Sequence, residues 1–250
     1  MNPFLFYSAG AGPAGAFAAA GLGQAGIPFA EDLSPAVTHL LLPVPSLTPE
    51  GLLRGGGDPE ALLARSDRDV TVIGGGLDRP VFDAVRKLDL LQDPDYLAKN
   101  AAITADCALR LAEARLPCLW DGTPVLIVGW GRIGKHLAFR LRQRGAAVTV
   151  AARKERDRAM AESFGIRAVP TDRMPLADCR VLFNTVPAPV LSEADAARCP
   201  PGCLKMELAS VPGIGGTDVL QARGLPGRLA PEASGALIAE TVLKLLGGAF

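Results

Sequence analysis

The sequence predicts an α/β protein made of two parallel-sheet halves joined by a long helix. Three observations carry that prediction. Short apolar, β-branched runs alternate with helical segments along the chain, the order that builds parallel sheets. Each half opens with an apolar run that feeds a glycine turn and then a helix: Gly10-Ala-Gly12-Pro-Ala-Gly15 in the first, Gly129-Trp-Gly131-Arg-Ile-Gly134 in the second. Apolar residues make up 49% of the 250 positions, with 28 glycines, which suits closely packed layers.

Taken in order, Phe4 to Tyr7 reads as a first strand, followed by the Gly10–Gly15 loop and a helix from Ala16 to Gln24. Pro13 suits the first turn of that helix, where no N–H is needed. Thr38 to Pro45 is a strand ending in a proline-rich loop, and Pro59 to Arg65 a short helix. Asp69 to Ile73 is a buried strand running into Gly74-Gly-Gly76. Val81, Val85 and Leu88 fall at helical spacing and predict a helix over Pro80 to Lys87. Tyr96 to Ala114 is the long linking helix, with Leu97, Ala101, Ala105, Ala108, Leu111 and Ala112 on its apolar side. The second half follows with a strand from Pro124 to Val128, a helix to Arg144 and a strand from Ala146 to Arg153. Further strands fall at Val181–Val186 and Cys203–Ala209, and a last helix at Pro231–Leu246. The expected organisation is an N-terminal domain over 1–95 on the substrate side, a linker over 96–120, a nucleotide-binding domain over 121–230 and a C-terminal helix over 231–250.

The second glycine turn carries the chemistry. Gly129 permits a tight turn, Gly131 lets backbone approach a pyrophosphate, and Gly134 lets helix and strand pack closely. The positive end of the helix, with Arg132 and Ile133 in its first turn, then faces the phosphates. A P-loop reading fails at His136, which stands where Ser or Thr should ligate magnesium. An NAD site places an acid about 20 residues beyond the glycines for the ribose 2′-OH. Here Arg153-Lys154 occupies that place and Glu155 comes after it. Cations suit a 2′-phosphate, so NADP(H) is the expected cofactor; the alternative is a solvated basic helix start. In a Rossmann half, Asn184, Thr185, Val186 and Pro187 end the strand beside ribose and nicotinamide. Glu207, Ser210 and Gly213–Gly216 occupy the corresponding end of the following strand. Asn100 and Thr104 share one face of the linking helix and are candidate substrate contacts. Gly10–Gly15 reads either as a second nucleotide loop, with Glu31 or Asp32 for a ribose, or as a helix–sheet packing turn.

Lys and Arg total 26, as do Asp and Glu, so no electrostatic footprint for nucleic acid or an anionic membrane is present. No apolar run reaches the roughly 18 residues of a membrane span. The Ala-rich stretch from Gly10 to Ala25 lacks a basic n-region, so a signal peptide is not expected and a cytoplasmic location is. Five cysteines, Cys107, Cys118, Cys179, Cys199 and Cys203, are read as thiols. With only His39 and His136 as histidines, neither near Cys199-Pro-Pro-Gly-Cys203, no metal site is expected.

Several segments together resemble the dipicolinate synthase A-subunit family. They are Asn100-Ala-Ala-Ile-Thr-Ala, Gly129-Trp-Gly-Arg-Ile-Gly, Val148-Thr-Val-Ala-Ala-Arg153, Phe183-Asn-Thr-Val-Pro187, Glu207-Leu-Ala-Ser210, Gly215-Gly-Thr-Asp218 and Gly224-Leu-Pro-Gly-Arg-Leu-Ala-Pro231. They run in family order across roughly residues 38 to 246. The resemblance implies two Rossmann-like, doubly wound parallel-sheet domains around a cleft, with NADPH on the C-terminal one. It implies a role in making pyridine-2,6-dicarboxylate during sporulation, from a dihydrodipicolinate-type dicarboxylate. The implied partner is a flavoprotein-like B subunit. The chain departs from the family in a shorter N-terminal domain with an Ala/Gly-rich first loop. Ala102 and Asp106 stand near where the family has Pro and Glu, and Gly213-Ile214 is inserted before Gly-Gly-Thr-Asp. The acid or base stays open among Lys99, Glu207 and water. A 2-hydroxyacid dehydrogenase shares the two-domain plan but wants a histidine late in the chain, and none follows His136. The lack of an evident acid–base pair also leaves a non-enzymatic NADP-binding protein open. A homodimer is the base-rate expectation.

Overall fold

The computed structural model describes residues 4–10, 12–67 and 69–247. The chain forms two compact units, one of residues 1–103 with 226–250 and one of residues 104–225. Both are α/β with all-parallel sheets, as the alternating pattern predicts.

In the first unit the sheet runs β1 (Phe6–Ser8), β2 (His39–Leu41), β3 (Thr71–Gly74), β4 (Arg86–Asp89) in that spatial order. Phe29 adds a single parallel bridge on the far side of β1. The winding therefore reverses about β1, the doubly wound pattern. Alternation along the strands feeds two cores. Phe6, Leu41 and Ile73 point to a core completed by α1 (Pro13–Gln24) and the last helix, α8 (Pro231–Leu245). Leu40, Leu42 and Val72 point to the opposite core, which holds Phe82. The expected short helix forms as α2 (Pro59–Ala64), capped by the Asp58 carboxylate, which accepts from the Glu60 N–H at 3.0 Å.

The small residues of α1 have a packing reason. A Cβ on Gly235 of α8 would lie 2.4 Å from the Phe17 Cβ and 2.6 Å from the Ala14 carbonyl oxygen, and one on Gly21 would touch Ala239. Two helices approach this closely only where side chains are missing. The first glycine loop is also a packing turn. Gly10 has φ +69°, its Cβ would sit 2.5 Å from the Arg54 carbonyl oxygen, and Gly55 abuts Gly10 in return. Ala11 of that loop lies outside the described residues.

The helix expected over Pro80 to Lys87 is not formed. Pro80–Phe82 makes one 3-10 turn, and the chain then extends as β4 on the open edge of β3. Helical spacing of three apolar residues loses here to parallel pairing. The Asp89 carboxylate then secures the strand's end by accepting from the N–H groups of Gly76, Leu77 and Leu91 at 2.8–3.0 Å. Arg86 and Lys87 leave that edge charged and exposed, which discourages further pairing.

The division between the units falls inside the helix α3 (Pro94–Glu113), whose Ala101, Ala105, Ala108 and Ala112 are buried. The second unit has six strands in the order β10 (Val219–Gln221), β9 (Leu204–Glu207), β8 (Val181–Asn184), β5 (Pro124–Val128), β6 (Ala147–Ala151), β7 (Arg167–Val169). Counted from β5, this is the order 3-2-1-4-5-6 of a dinucleotide-binding sheet, with its switch point between β5 and β8. Helix α4 (Arg132–Gln143) follows β5, α5 (Glu155–Ser163) follows β6, and the short α6 (Glu193–Ala196) lies between β8 and β9. A further short helix, α7 (Leu225–Leu229), leads from β10 into α8. Among the described residues no helix is long and apolar enough to cross a membrane.

Candidate functional site: a nucleotide-type turn at the switch point

The second sheet brings its candidate residues to one edge. Gly129 follows β5, Arg153-Lys154 follows β6, Asn184–Pro187 ends β8 and Glu207–Ser210 ends β9. Parallel strands deliver all these carboxyl ends to the same side, where ligands bind in open α/β sheets.

The three glycines of the turn differ in what they tolerate. Gly129 has φ +105°, and a Cβ there would lie 2.4 Å from the Thr185 hydroxyl oxygen. A Cβ on Gly134 would come 2.3 Å from the Gly129 carbonyl oxygen. Both positions are closed by the protein itself. Gly131 meets nothing within 4 Å, and no side chain caps the helix that starts there. An approach free of side chains at the positive end of a helix fits a pyrophosphate.

At the end of β6 the Arg153 and Lys154 side chains are exposed, and among the described residues no carboxylate pairs with either. Arg158 is the cation that holds this corner together. Its guanidinium donates to the carbonyls of Ala152 at 2.9 Å and Arg153 at 2.8 Å. That role is not visible in the sequence, where Arg158 is one of several basic residues interleaved with Glu155 and Asp157.

Asn184 and Glu207, the expected ligand contacts at the strand ends, are hydrogen-bonded to each other. Both are fully buried. The Asn184 amide donates to Glu207 at 2.8 Å and to the Val186 carbonyl at 3.1 Å, and its oxygen accepts from the Val186 N–H at 3.0 Å. The Glu207 carboxylate also accepts from the N–H groups of Gly213 at 2.7 Å and of Ile214 and Ala209 at 3.1 Å. The pair is a strut that ties the loop after β8 to the loop after β9. Gly213 belongs to it, because a Cβ there would lie 2.4 Å from the Ala188 carbonyl oxygen and 2.5 Å from the Asn184 amide. No pattern in the sequence marks Gly213 as a close approach, since that contact exists only after β8 and β9 are neighbours.

Thr185 is half-buried and donates to the Val128 carbonyl at 2.9 Å, so it braces the glycine turn and keeps its acceptor lone pairs. Val186 is half-buried beside Gly129, while Pro187 and Ser210 are exposed. Arg132 is exposed and Ile133 half-buried.

The candidates on α3 are divided between the units. Lys99 and Asn100 belong to the first and Thr104 to the second. Lys99 is ion-paired with Glu240 of α8. Asn100 is half-buried, and Thr104 is 8% exposed. Asp106 instead forms a two-point ion pair with Arg140 of α4, whose guanidinium also meets His136 at 2.9 Å. His136 is thus held by its own helix.

Residues 111–193 match the family model of the D-isomer specific 2-hydroxyacid dehydrogenase NAD-binding domain. The chain is 30% identical over 243 residues to the dipicolinate synthase A-subunit of Bacillus subtilis strain 168, covering 88% of this chain and 80% of the relative. Among solved structures, that of the dipicolinate synthase A-subunit from Bacillus halodurans superposes with a TM-score of 0.84 at 21% identity, covering 98% of each chain. The dipicolinate synthase A chain from Bacillus subtilis gives a TM-score of 0.81 at 22% identity, covering 99% of this chain and 97% of the other. With the nicotinamide-nucleotide domain of a dehydrogenase and a sequence relative that matches it along most of its length, the chain belongs to the dipicolinate synthase A-subunit family.

Proposed function

We propose that this NAD(P)-dependent oxidoreductase uses the phosphorylated cofactor NADP(H). The single observation that carries the reading is the exposed Arg153-Lys154 at the end of β6, where an NAD site keeps a carboxylate and where no carboxylate pairs with either residue among the described residues. Gly129, Gly131, Arg132, Ile133 and Gly134 would hold the pyrophosphate, and Thr185, Val186 and Pro187 would border the ribose and nicotinamide. Asn184 contributes by shaping that border through its bonds to Val186 and Glu207. The bound nicotinamide supplies hydride exchange, and the chain's task is to hold it aligned with the reacting carbon.

The proposed substrate is a dihydrodipicolinate-type cyclic dicarboxylate, oxidised to dipicolinate during sporulation together with a flavoprotein-like B subunit. Membership of the dipicolinate synthase A-subunit family supports it. Ser210, exposed after β9, is a candidate donor to a substrate carboxylate, with Asn100 and Thr104 as further candidates. Glu207 already accepts from Asn184, Ala209, Gly213 and Ile214, so it serves better as a positioning residue than as the acid or base. Loss of hydride from the dihydro ring must be matched by loss of one proton, for which water is the candidate acceptor; Lys99 would first have to give up its proton and its ion pair with Glu240.

Two assays test the reading. Titration of NADPH and NADH should show tighter binding of NADPH. Arg153→Ala/Lys154→Ala should weaken NADPH about tenfold, roughly the loss of one charge-assisted phosphate contact, and leave NADH within about twofold. Equal affinity for both cofactors in the native chain would remove the assignment. Incubation with dihydrodipicolinate and either oxidised cofactor, with and without the flavoprotein-like partner, should give substrate-dependent reduction of NADP+. Absence of turnover in every combination would remove the substrate.

A further inference from the structure

Cys179, Cys199 and Cys203 converge in the second unit although they are far apart in sequence. Cys179 precedes β8, Cys203 precedes β9, and Cys199 follows α6. The cluster therefore lies at the amino end of the sheet, opposite the glycine turn. All three are buried, and the three sulfurs lie within 4.8 Å of one another. The Cys179 sulfur is 3.7 Å from that of Cys199 and 3.6 Å from that of Cys203.

We infer that these three cysteines form a binding site for one thiophilic d10 cation, zinc or monovalent copper, held by three thiolates. Zinc–sulfur bonds of about 2.3 Å at a tetrahedral angle separate the sulfurs by about 3.8 Å, so the sulfurs already stand close to ligand spacing. Soft, buried thiolates select such ions over magnesium or calcium. The Leu176 carbonyl oxygen accepts from the Cys179 thiol at 3.3 Å; zinc would take a fourth donor that monovalent copper does not need. The ligand loop is preset: Pro200 and Pro201 restrict it, and Gly202 turns it at φ +78°.

Three thiolates around a divalent ion leave one negative charge in an apolar core that includes Leu126, Met174 and Leu182. The Lys205 side chain, two residues after Cys203 in β9, is 5% exposed and ion-paired with Asp218, which is 68% exposed. On binding, each thiol proton leaves to solvent as its sulfur lone pair takes the ion, and no electrons change hands. The absence of nearby histidine argues against metal in the sequence; the third thiolate from before β8 replaces it.

The full chain, purified under reducing conditions without added metal, should be assayed by elemental analysis and then titrated after chelation. Zinc, cobalt(II) as its spectroscopic probe, and copper(I) form separate arms. The expected result is one ion per chain in the zinc or the copper arm, a thiolate charge-transfer band with cobalt if zinc is the ion, and a raised melting temperature with that ion. Cys199→Ala and Cys203→Ser should each lose the metal, whereas Cys118→Ser should keep it. No retention and no thermal shift in either arm would overturn the inference, as would a Cys179–Cys203 or Cys199–Cys203 disulfide recovered from fresh protein. Native circular dichroism of each variant separates metal loss from misfolding, and cobalt spectra of the native chain decide the zinc arm if both variants fail to fold.

Discussion

Glycines with identical letters in the turn after β5 have different physical duties. Gly134→Ala drives a Cβ into the Gly129 carbonyl oxygen at 2.3 Å and should cost about 1–3 kcal/mol, as overpacking does, read as a lower urea midpoint with unchanged slope. Gly131→Ala meets open space and adopts φ −79° without strain. Its stability should stay within about 0.5 kcal/mol of the native chain, while cofactor affinity falls because the new methyl occupies the phosphate's approach. Equal loss of stability in both variants would refute this division. Glu207 shows the opposite duty, a polar group consumed by structure. Glu207→Ala leaves the Ala209, Gly213 and Ile214 N–H groups without their acceptor and the Asn184 amide with only the Val186 carbonyl, and should cost about 2–4 kcal/mol. Denaturation should detect this before any change in cofactor titration. A stability equal to the native chain would show the strut to be dispensable.

Elements here are decided by neighbours as much as by their own pattern. The apolar spacing of Val81, Val85 and Leu88 is helical, yet the open edge of β3 draws Arg86–Asp89 into a strand. The Ala/Gly-rich α1 has little amphipathic contrast of its own, and its place follows from the close approach of α8. At the start of β2, His39 is 8% exposed, stacks on Phe6 with ring centroids 4.7 Å apart and shares a hydrogen bond with Thr38 at 2.8 Å. Burial lowers its pKa below the ordinary 6.5. The unfolded chain therefore takes up its proton first as pH falls, and stability declines from about pH 6.5 down to the lower folded value. Melting temperature should fall over that window, and His39→Gln should flatten the fall. A parallel decline in both proteins would place the titrating group elsewhere.

For the whole molecule, parallel topology is what turns scattered residues into a site. The order with β5 beside both β6 and β8 carries residues 129, 153 and 185 to one edge, although long stretches of sequence separate them. The same order sends Cys179 and Cys203 to the other edge, at the starts of β8 and β9. One sheet thus separates a nucleotide-type turn from a thiolate cluster by the length of its strands. The two should respond independently: removing metal should lower the melting temperature and leave the affinity for NADPH within about twofold, since the sites share no side chain. A metal-dependent change in NADPH affinity larger than about tenfold would show coupling through β8 and β9.

Short-range chemistry makes much of this readable from the letters alone. The alternation of strand and helix, the glycine turn feeding α4, the alanines buried along α3 and the cations after β6 are each written within about 20 consecutive residues. Features that depend on which strands lie side by side are out of its reach. Asn184 and Glu207 read as ligand contacts because strand ends are where ligands sit, and their burial appears only when β8 pairs with β9. Gly213, Arg158 and the partnership of Cys179 with Cys199 and Cys203 carry no local signature. Their meaning arises from contacts between segments that a periodicity cannot relate, because hydrogen bonds and sulfur–sulfur approach act through space at about 3–4 Å, whatever the separation along the chain.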